Sequence, residues 1–308
     1  MQAEWSIPVS PAKAGVEALH LPLLASKGLS AAMLRLDKIH PVISGNKWFK
    51  LRFHFAAARQ LKQHALITFG GAFSNHIVST ACSAQQEGFA CAGIIRGERP
   101  PVLSHTLQQA EAYGMKLFFT DRKNYALKEA SEQIRHLIEA HPGHYLIPEG
   151  GSGEAGIRGC GQILSLAGDP VFTHVICCIG TGTMFCGIAT SLQPGQQLIG
   201  IPVLKLPPGA PLLQTLNRFC ELHHRQAHIL TGFEGGGYAR QNRPLFSLMN
   251  QFYEATGIPT DFVYTAKLVK AFIELTEANY FPSGSRVLLV HSGGLQGNAS
   301  LPPGTICF

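Results

Sequence analysis

The amino-acid sequence predicts an α/β fold with two open, mostly parallel twisted sheets and helices on both faces. Three observations predict it. Strand and helix patterns alternate along most of the chain, and two of the strands are followed by glycine-rich turns that open helices. Hydrophobic residues make up 45% of the 308 residues and charged residues 14%, which is typical of a well-packed globular protein. Because strands separated by whole helices pair in parallel, each alternating series indicates one sheet.

The first part of the chain leads to a helix that begins beside Lys47. Residues 1–30 carry few periodic signals and are expected to form an irregular arm, followed by an apolar strand over 32–36 and a loop over 37–45. Residues 48–63 are rich in helix formers and place apolar side chains at helical spacing, namely Leu51, Phe55, Ala58 and Leu61. We therefore expect a helix there, with one stripe against a core.

Residues 50–150 are expected to form the smaller α/β domain. The alternation within it predicts, in order, strand 65–69, helix 75–87, strand 90–95, helix 102–113, strand 116–119, helix 124–140 and strand 145–147.

A second series predicts the larger domain, which is discontinuous and consists of residues 1–49 and 151–308 if the strand near Leu34 joins its sheet. Its elements are helix 154–166, strand 173–179, helix 183–192, strand 198–203, helices 212–223, 244–255 and 266–277, and strand 286–290.

Charge and cysteine usage restrict the class of ligand and the compartment. The 25 Lys and Arg residues give a net charge of +6 but form no basic run, so we expect an anionic small ligand rather than nucleic acid. The eight cysteines form no Cys-x-x-Cys pair, which favours reduced core residues in a cytoplasmic protein. No run of eighteen apolar residues occurs, so no membrane segment is expected.

Lys47 stands at the start of the helix, directly after the tight Ser-Gly-Asn turn of residues 44–46. The helix dipole disfavours an ammonium group at that end, and desolvation would lower the pKa of the lysine further. An unprotonated amine is what attack on the aldehyde of pyridoxal phosphate requires. The alternative is a solvated surface lysine, which is the commoner fate of a lysine in such a position.

The segment Gly-Gly-Ala-Phe-Ser-Asn-His over 70–76 follows a predicted strand and opens a helix. Its glycines and the Ser74 cap leave backbone amides free, which favours an anion site. An ordinary strand-to-helix turn is the alternative. That alternative leaves unexplained why Ser74, Asn75 and His76 cluster at the carboxyl end of a strand, where open α/β sheets bind ligands.

The segment over 180–187, Gly-Thr-Gly-Thr-Met-Phe-Cys-Gly, repeats this arrangement and offers glycines, hydroxyls and a helix N-terminus to a phosphate. A dinucleotide loop is disfavoured because Phe185 stands where the third glycine should be and no acidic residue occurs between Asp169 and Glu221. His223 and His224 beside Glu221 are interpreted as surface residues, so no metal is expected.

These segments, in this order, resemble the fold type II pyridoxal-phosphate enzymes, which are similar to the tryptophan synthase β chain. Within them the chain resembles the aminocyclopropane-carboxylate deaminase and D-cysteine desulfhydrase family. The matching segments are 44–47 with Lys50, 70–76, 148–152, 180–183, 236–238, 263–265 and 291–294.

The resemblance implies a role for each candidate residue. Lys47 carries the cofactor and moves protons, Asn75 contacts its phenolic oxygen, and Tyr238 and Tyr264 are candidates for acid, base or nucleophile work. Ser74 faces the substrate, which Asn75 and His76 help to bind. Further cofactor contacts are implied at Gly180, Thr181, Gly182, Thr183, Thr265 and Ser292.

The departures from the family pattern decide the expected chemistry. Phe73 replaces the usual Gln and Phe49 stands where an arginine is expected, so the pocket rim should be less polar. The deaminases carry Glu and Leu where this chain has Thr265 and Ser292, and these two hydroxyls resemble the desulfhydrases. A hydroxyl supports a neutral pyridine nitrogen, whereas a carboxylate would hold it protonated.

The expected function is therefore that of a pyridoxal-phosphate-dependent lyase. The favoured reaction is β-elimination of D-cysteine to pyruvate, ammonia and sulfide. Deamination of aminocyclopropane-carboxylate to 2-oxobutanoate is the first alternative, and a non-catalytic protein that binds the cofactor is the second. The expected partner is a small amino-acid substrate, and a homodimer is expected.

Overall fold

The computed structural model describes residues 14–168 and 172–308. The strands in that part of the chain are β1 (Val16–Leu19), β2 (Ser30–Arg35), β3 (Ala65–Gly70), β4 (Ala90–Arg96), β5 (Met115–Thr120), β6 (His144–Ile147), β7 (His174–Ile179), β8 (Gln197–Pro202), β9 (Ala227–Ile229) and β10 (Arg286–His291).

The α-helices are α1 (Pro22–Ser26), α2 (Asn46–Gln60), α3 (Asn75–Glu87), α4 (His105–Ala112), α5 (Arg122–Leu127), α6 (Glu132–Glu139), α7 (Glu154–Cys160), α8 (Thr183–Ser191), α9 (Pro211–Leu222), α10 (Arg243–Thr256) and α11 (Thr265–Glu277). Short 3-10 turns cover Leu36–Lys38, Lys128–Ala130, Glu149–Gly151, Leu164–Ala167 and Leu295–Ser300.

The strands form two sheets, which confirms the predicted fold class. A six-stranded sheet has the order β1-β2-β10-β7-β8-β9, and a four-stranded sheet has the order β5-β4-β3-β6. Every pairing is parallel except that of β1 with β2. Because β2 pairs with β10, the strand near Leu34 lies in the larger sheet, as expected. The domain boundaries near residues 50 and 150 remain a prediction.

Strand β7 illustrates how helices cover both faces of the larger sheet. All six of its residues are buried. Val175, Cys177 and Ile179 pack in one core cluster with residues of α8, whereas Ile176 and Cys178 pack in another with residues of α11. Alternate side chains of a strand point to opposite faces, so a strand covered on both faces is apolar throughout.

Several boundaries differ from those expected. The expected irregular arm contains β1 and α1, and its residues 1–13 lie outside the described part. The single helix expected over 124–140 is wrong: Lys128 has a φ of 50°, and separate N-caps start two helices, with Asp121 capping α5 and Ser131 capping α6. The short edge strand β9 was not predicted. No helix in the described residues is long and apolar enough to cross a bilayer.

Candidate active site

The turn before α2 places Lys47 against the end of the larger sheet. Gly45 has a φ of 65°, and a Cβ at this position would lie 1.8 Å from the Ser292 carbonyl oxygen. The Asn46 backbone amide donates to the same oxygen at 3.1 Å. Because Ser292 directly follows β10, only glycine allows the N-terminus of α2 to dock there.

The surroundings of Lys47 favour its neutral amine. Burial and, next, the nearby Lys50 together lower the pKa of Lys47 to about 7, and the buried Asp261 opposes the shift. Burial raises the pKa of the Cys160 thiol to about 11, so at neutral pH that thiol carries no charge to oppose the shift. Lys47 Nζ donates to Asn46 Oδ1 at 2.8 Å. With a pKa of about 7, a large fraction of the Lys47 amine is unprotonated at neutral pH, which is the form that the sequence predicts.

The glycine loop between β7 and α8 brings two threonine hydroxyls together. Gly182 has a φ of 83°, and the Thr181 and Thr183 hydroxyl oxygens lie 2.9 Å apart. Lys50 Nζ donates to Thr181 Oγ1 at 3.4 Å. Lys50 is 4% exposed, and no carboxylate in the described residues forms an ion pair with it. A buried cation beside free helix amides calls for an anion.

The loop between β3 and α3 contributes a helix-capping serine, Ser74, and a buried asparagine, Asn75. Ser74 caps α3, and its hydroxyl accepts from the Ile77 amide at 3.4 Å. Asn75 Oδ1 is buried without a hydrogen-bond partner. A Cβ at Gly294 would lie 2.8 Å from Asn75 Nδ2. The loops that follow β3 and β10, one from each sheet, therefore meet at Asn75.

His76 lies beneath this loop. It is 2% exposed, and its Nε2 lies 2.8 Å from Thr68 Oγ1. The Thr68 hydroxyl donates to the Ile147 carbonyl at 2.8 Å, so it accepts from His76, whose proton is then on Nε2. Burial holds the pKa of His76 well below its usual value, and Lys47 and Lys50 add to this. A role of His76 in substrate binding remains a prediction.

Tyr238 and Tyr264 form a pair on the larger-sheet side. Their hydroxyl oxygens lie 3.2 Å apart, and their ring planes meet at 77°. Burial and the neighbouring Tyr238 raise the pKa of Tyr264 well above its usual value. Burial also raises the pKa of Tyr238, although the hydrogen bond from Tyr264 opposes it. Both phenols hold their protons at neutral pH. A Cβ at Gly180 would lie 3.4 Å from the Tyr264 ring, so the pair borders the glycine loop.

Asp261, which the sequence interpretation missed, fixes the segment that carries Tyr264 and Thr265. Its carboxylate accepts from the backbone amides of Val263, Tyr264 and Thr265 at 3.0, 2.8 and 2.9 Å. The sequence signal was weak, because Asp261 lies three residues before Tyr264, the N-cap residue of α11, and so falls outside the usual capping position. Thr265 Oγ1 is buried with no hydrogen-bond partner.

The two phenylalanines that depart from the family pattern lie in different places. Phe73 is 57% exposed, and its ring lies 5.9 Å from that of His105, so it does reduce polarity at the surface of the loop. Phe49 is 3% exposed and belongs to the large core cluster, so the expectation that it lines the rim is wrong. A Cβ at Gly159 would lie 1.9 Å from the Phe49 carbonyl, which explains why α2 packs so closely on α7.

The described residues contain no group of three or more His, Cys, Asp or Glu side chains that could hold a metal ion.

Comparisons with known proteins agree with this arrangement. The family model for pyridoxal-phosphate-dependent enzymes matches residues 18–293. The chain is 27% identical over 282 residues to a D-cysteine desulfhydrase of Yersinia pestis, covering 85% of this chain and 86% of the relative. It is 28% identical over 295 residues to a D-cysteine desulfhydrase of Klebsiella pneumoniae, covering 89% and 90%. A crystal structure of an ACC deaminase homologue matches with a TM-score of 0.80 at 22% identity, covering 97% of this chain and 92% of that one.

Proposed function

This chain belongs to the pyridoxal-phosphate-dependent enzymes, and we propose that it is a lyase that converts D-cysteine and water to pyruvate, ammonia and hydrogen sulfide. The residues present fit the cofactor. A lysine with a pKa of about 7 can react with its aldehyde, and the loop of Gly180, Thr181, Gly182 and Thr183 with the buried cation of Lys50 suits its phosphate. When bound, pyridoxal phosphate supplies an electron sink for the bond that breaks at the substrate α-carbon.

Two buried polar atoms without partners support the orientation of the cofactor ring. Asn75 Oδ1 and Thr265 Oγ1 are both unsatisfied, and leaving such atoms without a partner costs about 1–3 kcal/mol each. Asn75 would serve the phenolic oxygen of the ring through the Nδ2 donor of the same amide, since Oδ1 can only accept. Thr265, with Ser292 on the loop that follows β10, would serve the ring nitrogen.

The single observation that carries the choice of reaction is the buried, unpartnered hydroxyl of Thr265. A hydroxyl can donate to an unprotonated ring nitrogen, whereas a carboxylate would keep that nitrogen protonated and strengthen the electron sink. Opening a cyclopropane ring without a leaving group demands more of the sink than expelling a thiolate does. The hydroxyl therefore favours elimination, which agrees with the names of the curated relatives.

The lysine, the serine loop and the two tyrosines would each have a separate role in the reaction. Lys47 Nζ takes the proton of the α-carbon as the sulfur leaves, because a pKa of about 7 leaves the amine able to act as a base near neutral pH. Ser74 and the amides of its loop bind the substrate carboxylate. Tyr238 and Tyr264 keep their protons, and because one O–H is shared between the two hydroxyls, the other would donate a hydrogen bond to the departing sulfur.

The test is a comparison of substrates with purified, cofactor-saturated protein. We expect sulfide and pyruvate from D-cysteine to exceed 2-oxobutanoate from aminocyclopropane-carboxylate by at least roughly tenfold, equivalent to about 1.4 kcal/mol in the transition state. L-cysteine and D-serine are included to define handedness and leaving group. Efficient turnover of the cyclopropane substrate with none of D-cysteine would contradict the proposal, and no turnover of any amino acid would favour a non-catalytic binding protein.

Two further expectations accompany this function. All eight cysteines are unpaired, seven of them buried and Cys307 exposed, which supports a cytoplasmic location. A homodimer remains a prediction that sedimentation or light scattering would test.

A further inference from the structure

Lys267 is a fully buried lysine outside the residues discussed so far. It is the third residue of α11 and is 0% exposed. No acidic side chain in the described residues forms an ion pair with it. A buried cation without a paired carboxylate carries a large desolvation cost, so its presence here requires an explanation.

Its ammonium group donates to two backbone carbonyls. Nζ lies 2.7 Å from the Gly237 oxygen and 3.2 Å from the Val203 oxygen. Val203 follows β8, and Gly237 immediately precedes Tyr238. Lys267 therefore ties three parts of the chain together: the first turn of α11, the carboxyl end of β8 and the loop that carries Tyr238.

That loop is a segment that needs an anchor. Gly235, Gly236 and Gly237 have φ values of 58°, 89° and 121°, and consecutive glycines in the left-handed region have more conformational freedom to lose than other residues. Asn242 provides a second, longer hydrogen bond, with its Nδ2 3.3 Å from the Gly235 oxygen. Tyr238 itself is 44% exposed, so packing alone does not fix it.

The partner of Tyr238, by contrast, stands on a rigid support. Tyr264 precedes α11 directly, and the Asp261 carboxylate accepts from its amide at 2.8 Å. Because Lys267 and Tyr264 belong to the same helical segment, a bond from Lys267 to the glycine loop sets the distance between the two phenols. The 3.2 Å contact of their hydroxyls is then a consequence of the ammonium-to-carbonyl bond.

We propose that Lys267 is a positioning residue that holds the Tyr238 hydroxyl against Tyr264 by binding the Gly237 carbonyl. The importance of this contact for turnover rests on the proposed function, in which both phenols face the leaving group. The contact itself can be measured without any substrate.

The test uses Lys267→Met, which keeps the length of the side chain and removes its N–H donors. Lys270→Met is the matched control, because Lys270 lies on the same helix and is paired with Glu274 at 2.8 Å. Its Nζ lies 5.6 Å from the centre of the Phe233 ring but forms no hydrogen bond to the Gly237 carbonyl. Tyrosine ionisation is followed by ultraviolet difference absorption in the full chain, with Tyr238→Phe to assign the signals. Because Tyr238 raises the pKa of Tyr264, we expect Lys267→Met to lower the pKa of Tyr264 as far as Tyr238→Phe does.

A double-mutant cycle separates positioning from general stability. We expect Lys267→Met and Tyr238→Phe each to lower kcat for D-cysteine by roughly tenfold, and the double variant to lower it no further. Unchanged ionisation of Tyr264 in Lys267→Met, or fully additive losses in the double variant, would overturn the proposal.

Separate controls distinguish a variant that fails to fold from a failure of the proposed function. If Lys267→Met does not fold, Lys267→Gln, which keeps a shorter amide donor, takes its place in the same titration. Failure of both to fold would overturn the proposal, because Lys267 would then serve the whole fold. Should wild-type protein yield no pyruvate, the proposed function fails, but the Tyr264 titration still decides the role of Lys267.

Discussion

The first turns of α2 and α11 each carry a buried lysine. The two lysines differ in their hydrogen-bond acceptors and in the charges beside them. Burial lowers the pKa of Lys47 and of Lys267, and the Asp261 charge opposes the shift in both. Lys267 donates to two backbone carbonyls, whereas Lys47 donates to the Asn46 amide oxygen beside another cation, Lys50. Carbonyl acceptors favour the ammonium form, and a neighbouring cation disfavours it. Burial is the largest cause of the lowered pKa in both lysines, so the acceptors and neighbouring charges are what distinguish the lysine that can react.

The largest expected effect is the loss of turnover when Lys47 is replaced. Replacing Lys47 with Ala removes both the amine that bonds the cofactor and the proton carrier, so turnover of D-cysteine should fall by at least about a thousandfold. The measurement is pyruvate production at saturating cofactor. Lys270→Ala is the control, and we expect it to keep wild-type activity. If Lys47→Ala retained substantial turnover, another lysine would have to be the reactive one.

The next effect tests whether the loop beside Lys50 binds the phosphate. Gly182→Asp introduces a Cβ that would lie 2.6 Å from Leu216 Cδ2, together with a negative charge near the phosphate. We expect the dissociation constant of the cofactor to rise by at least roughly a hundredfold, about 2.7 kcal/mol. Gly195→Asp is a matched control, because Gly195 has the same φ of 83° but open space around it. Equal cofactor affinity in a folded Gly182→Asp variant would place the phosphate elsewhere.

A smaller effect concerns the hydroxyl that starts α11. The double change Thr265→Glu with Ser292→Leu should narrow the preference for D-cysteine over aminocyclopropane-carboxylate from its wild-type value of at least roughly tenfold. The physical reason is that a carboxylate at position 265 would keep the ring nitrogen protonated and strengthen the electron sink. Both substrates are measured on each single variant and on the double variant. A preference that stays the same or widens would argue against the role assigned to these two hydroxyls.

The smallest effect is on pH dependence. With substrate bound, Lys47 must be neutral to act as the base, so kcat should fall as the pH drops through the Lys47 pKa of about 7. Lys50→Met removes a like charge that depresses this pKa, so the pKa should rise and the acid side of the profile should move to higher pH. Profiles are measured at saturating cofactor, since Lys50 also contacts the glycine loop. Lys270→Met should leave the profile in place, and a shift of the Lys50→Met profile to lower pH would contradict the account.

Much of the fold could be predicted because its signals are local. Helix α3 has the predicted bounds, since Ser74 caps its start and Gly88, with a φ of 72°, ends it. Glycine loops after β3 and β7 were recognised because a strand, two glycines and a helix lie within a few residues of one another. The broken helix over 124–140 shows the limit of this reasoning, because two capping residues outweighed a continuous helical pattern.

Candidate site residues could be named from the sequence, but their contacts could not. Tyr238 and Tyr264 stand 26 positions apart in the chain, and Lys267 reaches a carbonyl 64 positions away. No local pattern specifies such partners, since they depend on how the loops of the two sheets meet. For the same reason the sequence could mark Lys47 as the candidate reactive lysine, but not that Lys50 lies beside Thr181 or that Asp261 supports Tyr264.

The central claim is that Lys47, among several buried lysines, is the one that bonds the cofactor. The most direct measurement is borohydride reduction of the protein saturated with pyridoxal phosphate, followed by tryptic digestion and mass spectrometry of the peptides. The account predicts that the visible absorption band disappears on reduction and that the modification is found on Lys47. Modification of Lys50 or Lys267 instead, or a protein that takes up no cofactor, would contradict it.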